Sequence, residues 1–224
     1  MKPPLPDRLP IVSELERLFV TVNKGLFGSD LSFPPFVFQP EKKVLLRFIP
    51  ESFHIVIGSK FAITNYDDLK CALLHEMVHI KNYMEDVTDC TSNQYHNRNF
   101  LKEALDVGFY VCKHKTRGWG ITKFKFETET ECREPDKKLI KKRTKVLSSI
   151  SLNRSILCAG QKEIKIYLQS NPRKSYFLKY ECGCLPPHNS IRSGRRPDGG
   201  NPLELVCSKC GYELVCVENE FQTV

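Results

Sequence analysis

The sequence has no long hydrophobic run. Its apolar stretches are short and interrupted, as where Arg47 separates Val44-Leu45-Leu46 from Phe48-Ile49, and none approaches the ~18 apolar residues that a membrane span needs. No membrane role is therefore expected. The first residues, Met-Lys-Pro-Pro-Leu-Pro-Asp, contain no apolar core of a secretory signal, so export is not expected either. Internal repeats are absent, and 12 Gly and 14 Pro among 224 residues are too few for a collagen-like or low-complexity chain. With 41% hydrophobic and 27% charged residues the composition is that of a folded globular protein of one to two domains.

Cysteine, by contrast, is plentiful. There are ten, and five of them, Cys182, Cys184, Cys207, Cys210 and Cys216, fall at the C-terminal end. Without an export signal, clustered cysteines point to reduced thiols and metal ligation rather than to a disulfide framework. Cys71, Cys90, Cys112, Cys132 and Cys158 show no ligand spacing and read as buried thiols.

Charge is distributed unevenly along the chain, whose net charge is +8. Residues 1–112 hold 12 Lys and Arg against 14 Asp and Glu, residues 113–150 hold 12 against 5, and residues 151–224 hold 10 against 7. A nearly neutral first half followed by a basic stretch suggests that the second half meets a polyanion, with a solvated basic face as the plainer alternative.

Apolar spacing predicts an amphipathic first helix over 8–24, with Gly25 as its stop. Short strands punctuated by Pro and Gly are predicted over 33–63. Asn65 is placed to cap a helix that starts at Tyr66, carries Asp67 and Asp68 in its first turn, and runs to about Tyr83. A further helix spans about Asn97 to Val107, with Gly108 just past its end. The polar stretch 113–145 contains the single Trp119, between Gly118 and Gly120, and leads into a helix over 136–150. In that helix Leu139, Arg143, Val146 and Ile150 share one side, while Lys137, Lys138, Lys141 and Lys142 spread elsewhere as candidate nucleic-acid contacts. Strands are predicted at Ile164–Leu168 and Tyr176–Tyr180.

The strongest chemical signal is His75-Glu76-Met77-Val78-His79. On a helix, positions four apart share a face, so both imidazoles can bind one zinc ion while Glu76 projects beside them as general base toward a metal-bound water. A third protein ligand is required. A metzincin's distal His is excluded because position 82 is Asn and position 85 is Glu. His96, at the mouth of the next predicted helix, is the preferred third ligand, and Glu103 on that helix is the alternative.

Cys182-Gly183-Cys184 and Cys207-Ser208-Lys209-Cys210-Gly211 form two short pairs on turn-forming sequence. They suit a closed four-thiolate structural zinc site, in which His188 could stand in for one thiolate. Between the pairs, Ile191-Arg192-Ser193-Gly194-Arg195-Arg196 is a basic loop that offers Arg192, Arg195 and Arg196 to phosphates.

Leu73-Leu74-His75-Glu76-Met77-Val78-His79, followed by His96-Asn97-Arg98-Asn99-Phe100, resembles the SprT-like zinc metallopeptidases. Their pattern is HEMxH, a variable insert, then H-G-x-x-F. This chain departs from it at Asn97, which stands where the family has Gly. The Gly-Trp-Gly segment and the C-terminal cysteines are similar to bacterial members that join the protease domain to a zinc ribbon. The resemblance implies an α+β architecture: a zincin-like metalloprotease domain over 1–120, a basic linker over 121–175, and a small β zinc ribbon over 176–224. It implies one catalytic and one structural zinc, a protein substrate held near DNA or crosslinked to it, a monomer, and a cytoplasmic, nucleoid or nuclear setting. The competing expectation is a non-catalytic, zinc-containing nucleic-acid-binding or transcription-associated protein, against which Glu76 speaks because a closed structural site has no use for a carboxylate beside an open position.

Overall fold

A computed structural model describes residues 10–39, 41, 43–125, 131–151, 153–170, 178–182, 184, 190–193, 206–211 and 214–217. The chain divides into two compact units, Met1–Asn171, of mixed α and β type, and Pro172–Val224, whose described elements are strands.

In the first unit, α1 (Pro10–Leu26) opens with Pro in its first turn, where no backbone donor is lost. It buries Ile11, Leu15, Leu18, Phe19 and Val22 along one stripe. The helix continues through Gly25, which is therefore not a stop. A Cβ at Gly25 would lie 2.6 Å from Val146, so this glycine is where a second helix crosses α1 closely. Strands β1 (Phe36–Phe38), β2 (Leu46–Ile49) and β3 (His54–Ile57) form a sheet in the order β1-β3-β2, with β1 parallel and β2 antiparallel to β3. The central strand is buried on both faces, with Ile55, Val56 and Ile57 fully enclosed, whereas β2 is left at the sheet edge.

The helix α2 (Tyr66–Met84) starts where its cap was predicted, the Asn65 side chain accepting a bond from the Asp68 N–H. Leu69, Leu73, Leu74, Met77, Val78 and Ile80 are all fully buried, making α2 the central helix of the core. The next helix, α3 (Arg98–Asp106), is capped by Asn97. It ends in a Schellman motif: the Gly108 N–H reaches Leu105 O, the Phe109 N–H reaches Ala104 O, and Gly108 takes φ +88°.

The stretch read from sequence as simply polar then forms a second sheet. Strands β4 (Tyr110–His114) and β5 (Gly118–Lys123) make an antiparallel hairpin, and β6 (Cys132–Arg133) pairs on the other side of β4. The expectation of reduced thiols fails at one pair, because Cys112 and Cys132 are directly opposite across β4 and β6 and are bonded to each other. Buried thiols are also not found at Cys158, which is exposed, or at Cys71 and Cys90, which are half-buried.

The predicted basic helix is α4 (Lys137–Ser148), capped by Asp136. Arg143 and Leu147 are buried in it, and the Arg143 guanidinium donates to the carbonyls of Gly108 and Phe124. The strand predicted at Ile164–Leu168 is instead part of α5 (Arg154–Ser170). Leu157, Gly160 and Ile164 form its buried stripe at helical spacing, with Gly160 against Ile11. Both α4 and α5 pack on α1, so residues expected to be linker are part of the first unit's core.

In the second unit β7 (Leu178–Glu181), β8 (Ser190–Ser193) and β9 (Val215–Val217) form an antiparallel sheet in the order β8-β7-β9. The predicted strand at Tyr176–Tyr180 overlaps β7, and its first two residues lie outside the described residues. Among the described residues, no helix is long and apolar enough to cross a membrane.

Candidate metal centre

His75 and His79 project from α2, one turn apart, and His96 comes from the segment that leads into α3. Their Nε2 atoms converge: His75 to His79 is 3.3 Å, His79 to His96 is 3.1 Å, and His96 to His75 is 3.2 Å. Each Nδ1 has its own partner. That of His79 meets Asp89 Oδ2 at 2.8 Å, that of His75 meets Thr122 Oγ1 at 3.1 Å, and that of His96 meets the Arg117 carbonyl at 3.2 Å. Because all three partners can accept, each ring places its N–H on Nδ1 and turns the Nε2 lone pair inward. Three lone pairs facing one another repel unless a cation lies between them. Tetrahedral zinc at ~2.0–2.1 Å from each nitrogen would hold them about 3.3 Å apart, so the triangle fits that ion.

The packing beneath the cluster explains its rigidity. Phe100, fully buried on α3, lies 4.7, 4.8 and 4.5 Å from the His75, His79 and His96 rings, centroid to centroid. The β4–β5 hairpin closes the other side: the Trp119 N–H donates to the His96 carbonyl, and the His96 N–H donates to Arg117 O. Gly118 has φ +58°, and a Cβ there would come 2.1 Å from His96 O; one at Gly120 would come 2.5 Å from His96 Nδ1. The Gly-Trp-Gly segment thus lets the hairpin backbone approach the third histidine.

Asn97 answers the departure from the family pattern. Its backbone is extended, with φ −93° and ψ −166°, a conformation that does not require Gly. Its side chain caps α3 by accepting from the Asn99 and Phe100 N–H groups, and it donates to Thr88 O at 2.9 Å. The Asn97 N–H also donates to Asp89 O. One residue therefore ties the His96 segment to the loop that carries Asp89. Asp89 in turn accepts from Asn82 Nδ2 at 3.0 Å.

Electrostatics follow from this burial. His75 is held well below the ordinary imidazole range by burial and then by its neighbours His79 and His96. His96 is pushed down to about 4, again chiefly by burial. Burial acts in the same sense on His79, but the hydrogen bond to Asp89 and the charges of Glu76 and Asp89 outweigh it and raise the net value. Correspondingly, Asp89 lies below the usual carboxylate range despite its own burial, held down by His79 and Asn82.

Glu76 is buried, and its Oε2 accepts from the Phe48 N–H of β2 at 2.8 Å. Burial raises its pKa, partly offset by His79, that N–H and Arg47. The other predicted donor, Glu103, is not near the cluster, being paired with Lys81 at 2.9 Å. His75, Glu76, His79 and His96 line a cleft of about 930 Å³ whose walls are residues 43–51 around β2, the loop over 86–94, and Thr116, Arg117 and Gly120. Asp89, Thr122 and Asn82 are neighbours of the cluster that sequence reasoning missed, as it did the contact of Phe100 with the three rings. Only Phe100 carried a signal, being part of the motif itself.

In the second unit, the sulfurs of Cys182, Cys184 and Cys210 lie within 4.8 Å of one another. Cys207 is buried in the same cluster, and the Gly211 N–H closes the turn onto Cys207 O at 2.8 Å. Zinc–thiolate distances of ~2.3 Å put sulfurs about 3.8 Å apart, so these donors fit the metal as well. His188, Arg195 and Arg196 lie outside the described residues. Arg192 is on β8, and Lys137, Lys138, Lys141 and Lys142 are exposed on α4. Comparisons with family models, with curated proteins and with solved structures gave no match.

Proposed function

We propose that this protein is a zinc-dependent endopeptidase of the SprT-like kind, with His75, His79 and His96 as ligands of a catalytic zinc and Glu76 as general base. The observation that carries the reading is the convergence of three imidazole Nε2 atoms, at 3.1–3.3 Å, in a cleft that also holds a buried carboxylate. Three protein ligands leave a coordination position open, which a closed structural site does not. When bound, zinc supplies Lewis acidity, polarising a carbonyl and bringing the pKa of water toward ~7.

The chain's own residues do the rest. Glu76 takes the proton of the attacking water and passes it to the leaving amide nitrogen. Burial lifts its pKa toward the operating range, and the Phe48 N–H keeps the carboxylate aimed. Asp89, Thr122 and the Arg117 carbonyl fix the imidazoles in the tautomer that presents Nε2. The edge strand β2 borders the cleft and offers an extended peptide a backbone to lie against. In this reading the first unit is a zincin-like protease domain. The second is a zinc ribbon whose structural ion is held by Cys182, Cys184, Cys207 and Cys210. The exposed lysines of α4 favour DNA as the surface on which protein substrates are met.

The test is cleavage of casein and histones by the zinc-loaded full chain beside Glu76→Gln, with and without single-stranded and duplex DNA, and with zinc counted in each. The expected result is cleavage by wild type alone, two zinc ions in both proteins, and faster cleavage with DNA. Zinc-loaded wild type that cleaves nothing under any condition while still binding DNA would overturn the enzyme in favour of a zinc-braced binding protein.

A further inference from the structure

We infer that the cleft beside Glu76 contains a subsite for one large apolar side chain of the substrate, walled by Tyr83 with Phe48 and Phe53 behind it. This rests on the endopeptidase reading and adds a substrate class to it. Tyr83 lies on α2 one turn beyond His79, and with Phe48 it lines the same cleft as the histidine cluster. Its ring makes contact with Phe48 at 5.7 Å and with Phe53 at 5.9 Å, and those two meet edge-on at 5.5 Å. Phe48 is 7% exposed whereas Tyr83 is 49% exposed. A half-exposed aromatic ring backed by two others thus lines a concave site, which is how binding pockets present apolar surface.

The position of the wall relative to the chemistry comes from Phe48. Its side chain supports Tyr83, while its backbone N–H holds the Glu76 carboxylate at 2.8 Å. A side chain resting on these rings therefore belongs to a residue that flanks the bond Glu76 attends. Aromatic rings have few rotatable bonds, so they offer contact area with little entropy to lose. Among the charged cleft residues close to them in sequence, Arg47 is paired with Glu41 at 2.6 Å, whereas Glu51 and Asp86 are carboxylates. They disfavour an acidic substrate residue at this place, so the subsite takes Phe, Tyr, Leu or Met in preference to Asp or Glu.

The experiment uses the zinc-loaded full chain and quenched fluorescent peptides that differ only at the two residues flanking the cleaved bond, with Phe, Leu, Ala or Asp at each. Wild type, Tyr83→Ala and Tyr83→Phe are compared by kcat/KM, and the same peptides are titrated by anisotropy onto Glu76→Gln with and without Tyr83→Ala. One position should favour Phe over Ala by at least tenfold in wild type and in Tyr83→Phe, since a well-filled apolar pocket discriminates by ~10–200-fold. In Tyr83→Ala that ratio should fall to within threefold of one. A wild-type ratio already near one, or a ratio that survives Tyr83→Ala, overturns the subsite while leaving the endopeptidase intact. If wild type cleaves nothing, binding to Glu76→Gln decides: a Tyr83-dependent preference for Phe keeps the subsite without the protease, and its absence overturns both.

Discussion

Around His75, His79 and His96 the protein would hold its shape without a metal. Six side chains of α2 are fully buried, Phe100 touches all three rings, and every Nδ1 is tied to a partner on a different segment. Around Cys182, Cys184, Cys207 and Cys210 the buried cluster among the described residues consists of the cysteines with Leu214. The two candidate sites therefore differ in their described surroundings: in the first a large apolar core positions the candidate ligands, and in the second the candidate ligands themselves make up most of the buried cluster among the described residues. Domains of about 50 residues commonly depend on a metal or a disulfide for stability.

Metal removal is the sharpest way to break this comparison. Dialysis against a strong chelator should unfold the second unit, since structural zinc contributes ~10–16 kcal/mol in small thiolate domains. The first unit should keep its fold and lose only activity. Hydrogen exchange of the full chain checks this, with protection of 178–181 and 215–217 expected to vanish and that of α2 to persist. Equal loss in both units would mean that the histidine site is as metal-dependent as the thiolate site.

The next effect in size is that of Phe100→Ala, a fully buried aromatic whose loss leaves a cavity costing ~3–5 kcal/mol. Thermal unfolding of the zinc-loaded chain should show the first unit melting earlier, and competition with a chelator should show weaker zinc binding because the three rings lose their common support.

Asp89→Asn probes the same site more gently. The amide can keep one bond but no longer offers His79 Nδ1 a charge, and such changes weaken metal affinity by ~10–100-fold. Zinc competition should record that loss with only a small drop in the melting temperature of the first unit, because the amide oxygen can still accept from buried Asn82.

The parts of this arrangement that were legible in the sequence are the local ones. The α2 cap at Asn65, the helical spacing of His75 and His79, and the end of α3 at Gly108 are signals carried within a few residues. That His96 rather than Glu103 meets the histidine pair on α2 was also a local matter, since His96 sits at the mouth of α3 beside His75 and His79 while Glu103, two turns on, is paired with Lys81. What escaped was set by partners distant in the chain. The β4–β5 hairpin carries Lys113, Arg117 and Lys123, which read as a solvated basic stretch, and its role is visible only once Gly118 and Gly120 are seen against His96. Leu157, Gly160 and Ile164 were split by a strand assignment, although α1 is what buries them as a helical stripe. The Cys112–Cys132 bond was hidden because β6 is two residues long and nothing in its sequence marks it as a strand.

Asn97 offers the finest test, because it separates holding the helix from holding the site. As a cap it accepts from the Asn99 and Phe100 N–H groups, and replacing it by Gly should cost roughly a few tenths of a kcal/mol. As a tie its amide donates to Thr88 O on the loop that carries Asp89. Asn97→Asp keeps the cap and removes the tie, whereas Asn97→Gly matches the SprT-like pattern but removes all three side-chain bonds. Should the tie matter to the centre, Asn97→Asp will weaken zinc binding by a few-fold at unchanged melting temperature, and Asn97→Gly will lower both. If Asn97→Asp binds zinc like wild type, the loop is held sufficiently by the Asn97 backbone bond to Asp89 O and by Asn99, whose side chain also donates to Thr88 O at 2.8 Å. In that case the residue that distinguishes this chain from the family pattern serves the helix alone.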